Sequence, residues 1–337
     1  MKYFKNKKFI FSALIFLIGG LFIFYFYVFE EKSFEPKKER EIYQIVNFHE
    51  HIESINEAEK LLPIMEENNI SKTILLGSPN YTLYLKNDMG FEEYEKNNQE
   101  ILKIAKKYPE KFIAFPTLNP LDKDNLERLQ NYIIQGAKGL KLYYGHGSSH
   151  GKGPFHVISL DDPRMDSVFE YCQKEGIPVM FHINMEKYYE EFVSLMDNFP
   201  NLKIIVPHFM LSMWNEKRLE RMESLFEKYP NLYTDISLGR PKFLTDGLKH
   251  ISKTPELYQN FIIKHRDRFL FGTDMVITQA KFKSGFPISE NFKVYRDFLE
   301  KKQYQEPFSK EYLNGLYLDK ETLKIIYEIN PPKIILK

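Results

Sequence analysis

His49-Glu50-His51 follows the apolar run Tyr43-Gln44-Ile45-Val46-Asn47-Phe48. In extended chain, residues i and i+2 leave from the same face, so two imidazoles here converge on one point and can offer ring nitrogens to a single cation. Three later strand-like runs also end in a ligand type: Ile177–His182, Lys203–His208 and Phe269–Asp274. Four such ends supply four histidines and one aspartate, which is what a metal site at the carboxyl-end rim of a parallel barrel requires.

These residues must be held by an alternating framework. After the first run come apolar segments at Lys72–Leu76, Phe112–Phe115, Leu140–Tyr143, Ile177–His182, Leu202–Val206, Leu232–Ile236 and Phe269–Phe271, which makes eight expected strands. Between them, Asp124–Gln135, Arg164–Lys174, Lys187–Asn198 and Glu216–Lys228 carry apolar residues at three- and four-residue spacing, the mark of helices with one buried face. Strand-then-helix alternation implies parallel pairing, and the absence of a Gly-rich phosphate loop after the first strand favours a closed (β/α)8 barrel over an open sheet. Two segments break the rhythm, Gly145–Leu160 and Arg240–Arg268. Both follow a strand, so both are expected at the active-site face, as lid and pocket.

Together these features resemble the amidohydrolase superfamily, in its amidohydrolase-related branch that contains aminocarboxymuconate-semialdehyde decarboxylase. Further matches are Gly136-Ala137-Lys138-Gly139-Leu140-Lys141-Leu142, Asp162-Pro163 and Glu328-Ile329-Asn330. The chain departs from the family with Asn47, where an aspartate is usual, and with Phe209-Met210-Leu211, where a Gly-rich turn is usual.

The resemblance implies a divalent ion, best zinc with Mn2+ as alternative, held by His49, His51, His182 and Asp274, which would bring the pKa of a bound water toward about 7. Asp274 could otherwise be a helix cap; the resemblance makes it both ligand and proton acceptor. His208 is assigned an acid/base role beside the ion. Lys141 resembles the lysine that two-metal members carboxylate as a bridge, which is the alternative to a single ion. Arg240, Tyr143 and Trp214 are candidates for substrate contact. His146, His150 and His156 in the Gly/Ser-rich loop read as surface histidines. The expected reaction is hydrolysis of an ester, lactone or amide of a small organic acid. Decarboxylation or hydration of an unsaturated or aromatic acid is the alternative, and a non-catalytic binding barrel is a third reading.

At 337 residues with 43% hydrophobic content, the chain accommodates one barrel and an appendage. Lys+Arg number 47 against 46 Asp+Glu, so there is no electrostatic footprint for nucleic acid. Residues 1–8 form a basic leader, and Phe9–Phe29 carries no charge and has the length of a transmembrane helix. Lysines before this run and Glu30 and Glu31 after it orient the remainder outward. The run ends in Tyr25-Phe26-Tyr27-Val28-Phe29 without the small residues of a cleavage site, so an uncleaved signal anchor is expected. Residues 30–41 then read as a charged linker and 42–337 as the barrel. Cys172 is the single cysteine and cannot form an internal disulfide.

Overall fold

The computed structural model describes residues 43–84, 90–145, 155, 157–239, 241–279 and 287–335. The leader, the apolar Phe9–Phe29 run, the linker, His146, His150, His156 and Arg240 lie outside them. Among the described residues no helix is long and apolar enough to cross a membrane.

The chain alternates as expected. In order come β1 (Ile45–Ile52), α1 (Ile55–Glu67), β2 (Ile70–Leu76), α2 (Asn80–Tyr84), α3 (Tyr94–Lys107), β3 (Phe112–Phe115), α4 (Asn125–Ile134), β4 (Leu140–Gly145), α5 (Asp166–Glu175), β5 (Val179–Ile183), α6 (Tyr189–Asn198), β6 (Ile204–Val206), α7 (Glu216–Lys228), β7 (Leu232–Asp235), α8 (Pro241–Ile251), α9 (Pro255–Lys264), β8 (Phe269–Leu270), β9 (Met275–Ile277), α10 (Ile288–Glu300), β10 (Gln303–Gln305), β11 (Tyr312–Asn314), α11 (Lys320–Lys324) and α12 (Asn330–Ile335). The Arg240–Arg268 segment thus contains two helices, as its composition implied.

Parallel pairing links β1 to β2, β2 to β3, and each of β4 to β7 with its successor. The two sheets meet through a parallel bridge between Thr117 and Lys141 and through the Phe48 N–H, which donates to the Phe271 carbonyl at 2.7 Å; β9 also pairs with β1. This circuit is the barrel. Its strands are buried on both faces, which is why their sequences are runs of apolar residues rather than strict alternations.

Inside lies an apolar layer of Phe48, Ile74, Leu76, Phe115, Met180, Ile205, Tyr233 and Leu270, joined by Ile334 of α12. A larger shell fills the space between strands and helices and takes in Cys172, a buried thiol on α5. The Asp162 side chain accepts from the Arg164 N–H and so caps the short turn that leads into α5.

One boundary differs from the sequence expectation. His49 and His51 lie within β1, not after it, because β9 continues the pairing: Glu50 faces Met275 and His51 faces Val276. Against β2, β1 steps from Asn47 (opposite Thr73) to Glu50 (opposite Leu75), one residue more than its partner advances. Such a bulge re-aims a side chain. It lets His49 turn toward the interior directly after the inward Phe48.

Candidate metal centre

Four imidazoles and a tyrosine form a closed circuit of rings at the carboxyl ends of the strands. Ring centroids are 5.3 Å apart for His51–His49, 5.3 Å for His49–His208 and 4.9 Å for His208–His182. Tyr143 completes it, 6.2 Å from His182 and 6.4 Å from His51. Asp274 reaches into this ring: its Oδ1 is 3.1 Å from His49 Nε2 and 3.2 Å from His51 Nε2, and its Oδ2 is 3.8 Å from His208 Nε2. Its side chain is 17% exposed against 1%, 4% and 5% for His49, His51 and His208, so the approach from solvent runs over Asp274.

What lies behind the rings fixes which nitrogen faces inward. The Ser78 hydroxyl donates to the Leu76 carbonyl, so at His51 Nδ1, 2.8 Å away, it can only accept. The Ser237 hydroxyl likewise donates to Asp235 Oδ1, which leaves it to accept from His208 Nδ1 at 2.8 Å. His49 Nδ1 lies 2.6 Å from Asp235 Oδ2, an obligate acceptor when ionised. All three rings therefore carry the proton on Nδ1 when neutral and turn the Nε2 lone pair toward Asp274. With the rings neutral, three lone pairs and a carboxylate on one point are acceptors without a donor. Only a cation satisfies them together, and metal-bound histidines are oriented by this kind of second partner.

Distances agree with that reading. Two ligands each about 2.0–2.1 Å from a tetrahedral zinc stand about 3.3 Å apart, close to the 3.1 and 3.2 Å seen here. His49, His51 and Asp274 thus fit one ion. A second acid-histidine group comprises His49, His208 and Asp235. Its His49–Asp235 contact of 2.6 Å is a hydrogen bond, too short for two ligands of one ion, so Asp235 stands behind the histidines.

The charges follow. Burial opposes ionisation of Asp274, but the charges of His49 and His208 and the hydrogen bonds of His49 and His51 outweigh it and hold the carboxyl well below its usual range. Burial likewise lowers His49, yet Asp274 and Asp235 on its two sides raise it to about 9. His51 faces one acid only, and burial takes it down to about 3. Burial also lowers His208.

The structure places the remaining candidates as follows. His182 stands beside His208 and Tyr143 in the ring circuit but outside the tight groups. Tyr143 is buried, with its hydroxyl donating to the Gly77 carbonyl at 2.9 Å and 3.4 Å from His51 Nδ1, so it backs His51. Its ring continues into an aromatic wall with Phe155 and Phe91. Trp214 is half-buried, packs on the outer shell and has its ring contact with His250. Lys141 is fully buried.

Asn47, the departure on β1, donates to Glu50 Oε1 at 2.8 Å. Thr273 donates to the same oxygen, and burial pushes the Glu50 carboxyl up to about 8. The amide at 47 supplies Glu50 with a donor that an ionised aspartate would not.

Sequence reasoning missed Asp235. It is fully buried at the end of β7, and it also accepts from the backbone N–H groups of His208 and Ser237. The signal was present: Asp235 lies two residues beyond Tyr233 and so shares its inward face. Gly272 makes room for this arrangement, since a Cβ there would stand 3.0 Å from His49 Cβ and 3.2 Å from Asp235 Oδ2.

Comparison with known proteins agrees with this fold. A dihydroorotase from Helicobacter pylori (strain HPAG1) is 29% identical over 180 residues, 51% of this chain and 48% of that protein, so the match spans about half the length of that relative. Among solved structures, a probable 2-pyrone-4,6-dicarboxylic acid hydrolase from Acinetobacter baumannii superposes with a TM-score of 0.59 at 14% identity, over 87% of this chain and 99% of that one. A 2,6-dihydroxybenzoate decarboxylase from Rhizobium gives 0.55 at 15% identity, over 87% and 98%. The amidohydrolase family profile matches residues 73–317, which leaves His49 and His51 just ahead of the matched region but joined to it in space through Asp235 and Asp274. With that match extending over more than half its length, the chain belongs to the amidohydrolase family of metal-dependent enzymes.

Proposed function

We propose that this enzyme hydrolyses an ester, lactone or amide of a small organic acid, with one divalent ion, best zinc, held by His49, His51, Asp274 and His182. The observation that carries the reading is the convergence of the His49 and His51 Nε2 lone pairs on one oxygen of a largely buried, ionised carboxylate, with His208 Nε2 beside its other oxygen. The ion supplies Lewis acidity to oxygen atoms brought against it.

The chain's own residues handle the protons. Asp274 Oδ2 and His208 Nε2 are neighbouring acceptors at the open side of the ring, placed to take the proton of an attacking water. His208, once protonated, can return that proton to the departing oxygen or nitrogen. Ser237 and Asp235 hold its ring in position throughout. The buried surroundings exclude other water and strengthen each of these interactions.

A second reading, decarboxylation of an aromatic or unsaturated acid, draws on the aromatic wall of Tyr143, Phe155 and Phe91 beside His51, a surface suited to a planar substrate.

Elemental analysis of the purified protein and of two variants tests the assignment. His49→Ala should lose most of the metal, whereas His208→Asn should keep it while turnover on a screen of lactones, esters, amides and unsaturated acids falls by about 10² or more. Unchanged metal in His49→Ala would remove the basis of the reading. Loss of one of two ions in His208→Asn would instead favour a binuclear site bridged by a carboxylated Lys141.

The uncharged Phe9–Phe29 run with its lysine-rich leader further supports a single-pass anchor that places the barrel outside the cytoplasm. Protease added to intact cells should then cleave the barrel; protection until the membrane is broken would reverse that topology.

A further inference from the structure

One cationic side chain near the centre is left unused by the single-ion reading above. Lys141 lies on β4 two residues before Tyr143, is 0% exposed, and its Nζ has no hydrogen-bond partner among the described residues. Its one close neighbour of note is the face of the Tyr143 ring, 4.8 Å from the Nζ to the centroid. Just beyond β3, bridged to Lys141, stands Thr117, also 0% exposed and with its Oγ1 likewise without a hydrogen-bond partner. The Lys141 N–H to Pro116 carbonyl bond of 2.8 Å ties the two segments together.

A buried, unsatisfied ammonium costs several kcal/mol, and a buried hydroxyl without a partner adds to that. A tyrosine face returns only part of it. The fold does not require either group, because neighbouring inward positions are filled by Ile74, Leu76, Met180 and Ile205. Lys141 also sits within the field of the metal centre: Asp274 and Asp235 act on it, and it acts on His51 and His208. Burial brings its pKa down to about 8, against the pull of Asp274 and Asp235.

We propose that Lys141 and Thr117 form a carboxylate-binding subsite beside the metal centre, so that the substrate is an organic anion whose carboxylate accepts from the Lys141 ammonium and the Thr117 hydroxyl. The proposal builds on the reading of the His–Asp cluster as the reacting centre. A carboxylate suits the pair because it neutralises the ammonium and still has lone pairs for the hydroxyl. In a hydrolase this carboxylate orients the scissile bond over Asp274; in a carboxy-lyase it is the group released.

Calorimetric titration of the purified full-length protein with acid and amide pairs tests this: benzoate against benzamide, oxalate against oxamide, malonate against malonamide. The wild type should bind at least one acid about tenfold or more tightly than its amide. Lys141→Met should reduce that preference to about twofold or less, with unchanged metal by elemental analysis. Its Tm without ligand should rise, since an unpaired buried charge has been replaced by an apolar side chain of similar length. Thr117→Val should weaken the acid several-fold and provides the decision if Lys141→Met does not fold. The proposal is overturned if no acid is preferred by the wild type, or if the preference survives in both variants and so belongs to the metal. It is equally overturned if Lys141→Met loses metal and label from 13C-bicarbonate is found on Lys141 in the wild type. A protein that binds no metal yet loses its acid preference with Lys141 would refute the catalytic reading and leave the subsite standing.

Discussion

On four strands an inward apolar side chain is followed two residues later by an inward polar one: Leu76 by Ser78, Phe115 by Thr117, Met180 by His182 and Tyr233 by Asp235. The lower layer of the barrel is filled by volume, and many apolar side chains of similar size would serve there. In the upper layer the groups around Asp274 each have a direction and a partner. Ser78 fixes His51, Asp235 fixes His49, and Ser237, two residues further, fixes His208. The same backbone therefore carries stability at one level and chemistry at the next, and substitutions should separate the two.

The largest effect is expected at Asp274. Asp274→Asn preserves shape, and asparagine tolerates the left-handed backbone found there, φ 52°. It removes the negative charge on which three imidazoles converge. Turnover should fall by about 10³ or more, with weaker metal binding and a native melting profile. Activity near wild type would mean that the upper layer is organised around another group.

Met180→Ala, one layer down, should do the reverse. The side chain is fully buried inside the barrel, and its truncation should cost roughly 2–5 kcal/mol in denaturant unfolding. The folded fraction should still bind metal at wild-type stoichiometry. Loss of metal from folded protein would show that the two layers are not separable.

Asp235→Asn tests the join between them. Its carboxylate serves His49, the His208 backbone and Ser237 at once. Metal affinity should drop about 10–100-fold, the usual range when the partner behind a metal-binding histidine is changed. A competitive chelator titration measures this, and an unchanged affinity would remove Asp235 from the centre.

These two layers were unequally legible in the sequence. The eight strands and the His and Asp strand ends were readable because period-two and period-3.6 patterns and ligand types are local properties. Three features were not. The bulge that turns His49 inward depends on how β1 registers with β2, and β9 lengthens β1 only because a distant segment returns to pair with it. Asp235 was readable in principle from its spacing to Tyr233, yet a lone acid at a strand end resembles any turn residue until its partners are known. The left-handed turn after β6 was signalled only by the resemblance, which has a Gly-rich turn at this place; the residues themselves give no local sign of it, since they are not glycines.

That turn carries the smallest expected effect. His208, Phe209, Met210 and Leu211 have φ of 61°, 53°, 49° and 59°, four consecutive side-chain-bearing residues in a region that costs each roughly 1–2 kcal/mol. Phe209 and Met210 are buried in the outer shell and offset the strain by packing, while Leu211 is only half-buried. Glycine at 211 should therefore relieve strain and lose modest packing, whereas glycine at Leu62, half-buried in helix α1 beside Pro63, loses packing and adds about 1 kcal/mol of helix cost. The two variants should differ by about 2 kcal/mol in unfolding free energy, with Leu211→Gly near wild type. Because the turn begins at His208, the same variant should also lower turnover a few-fold without loss of metal. Equal destabilisation of both variants would mean that the turn stores no strain, and that the His208 backbone is held by its bond to Asp235 alone.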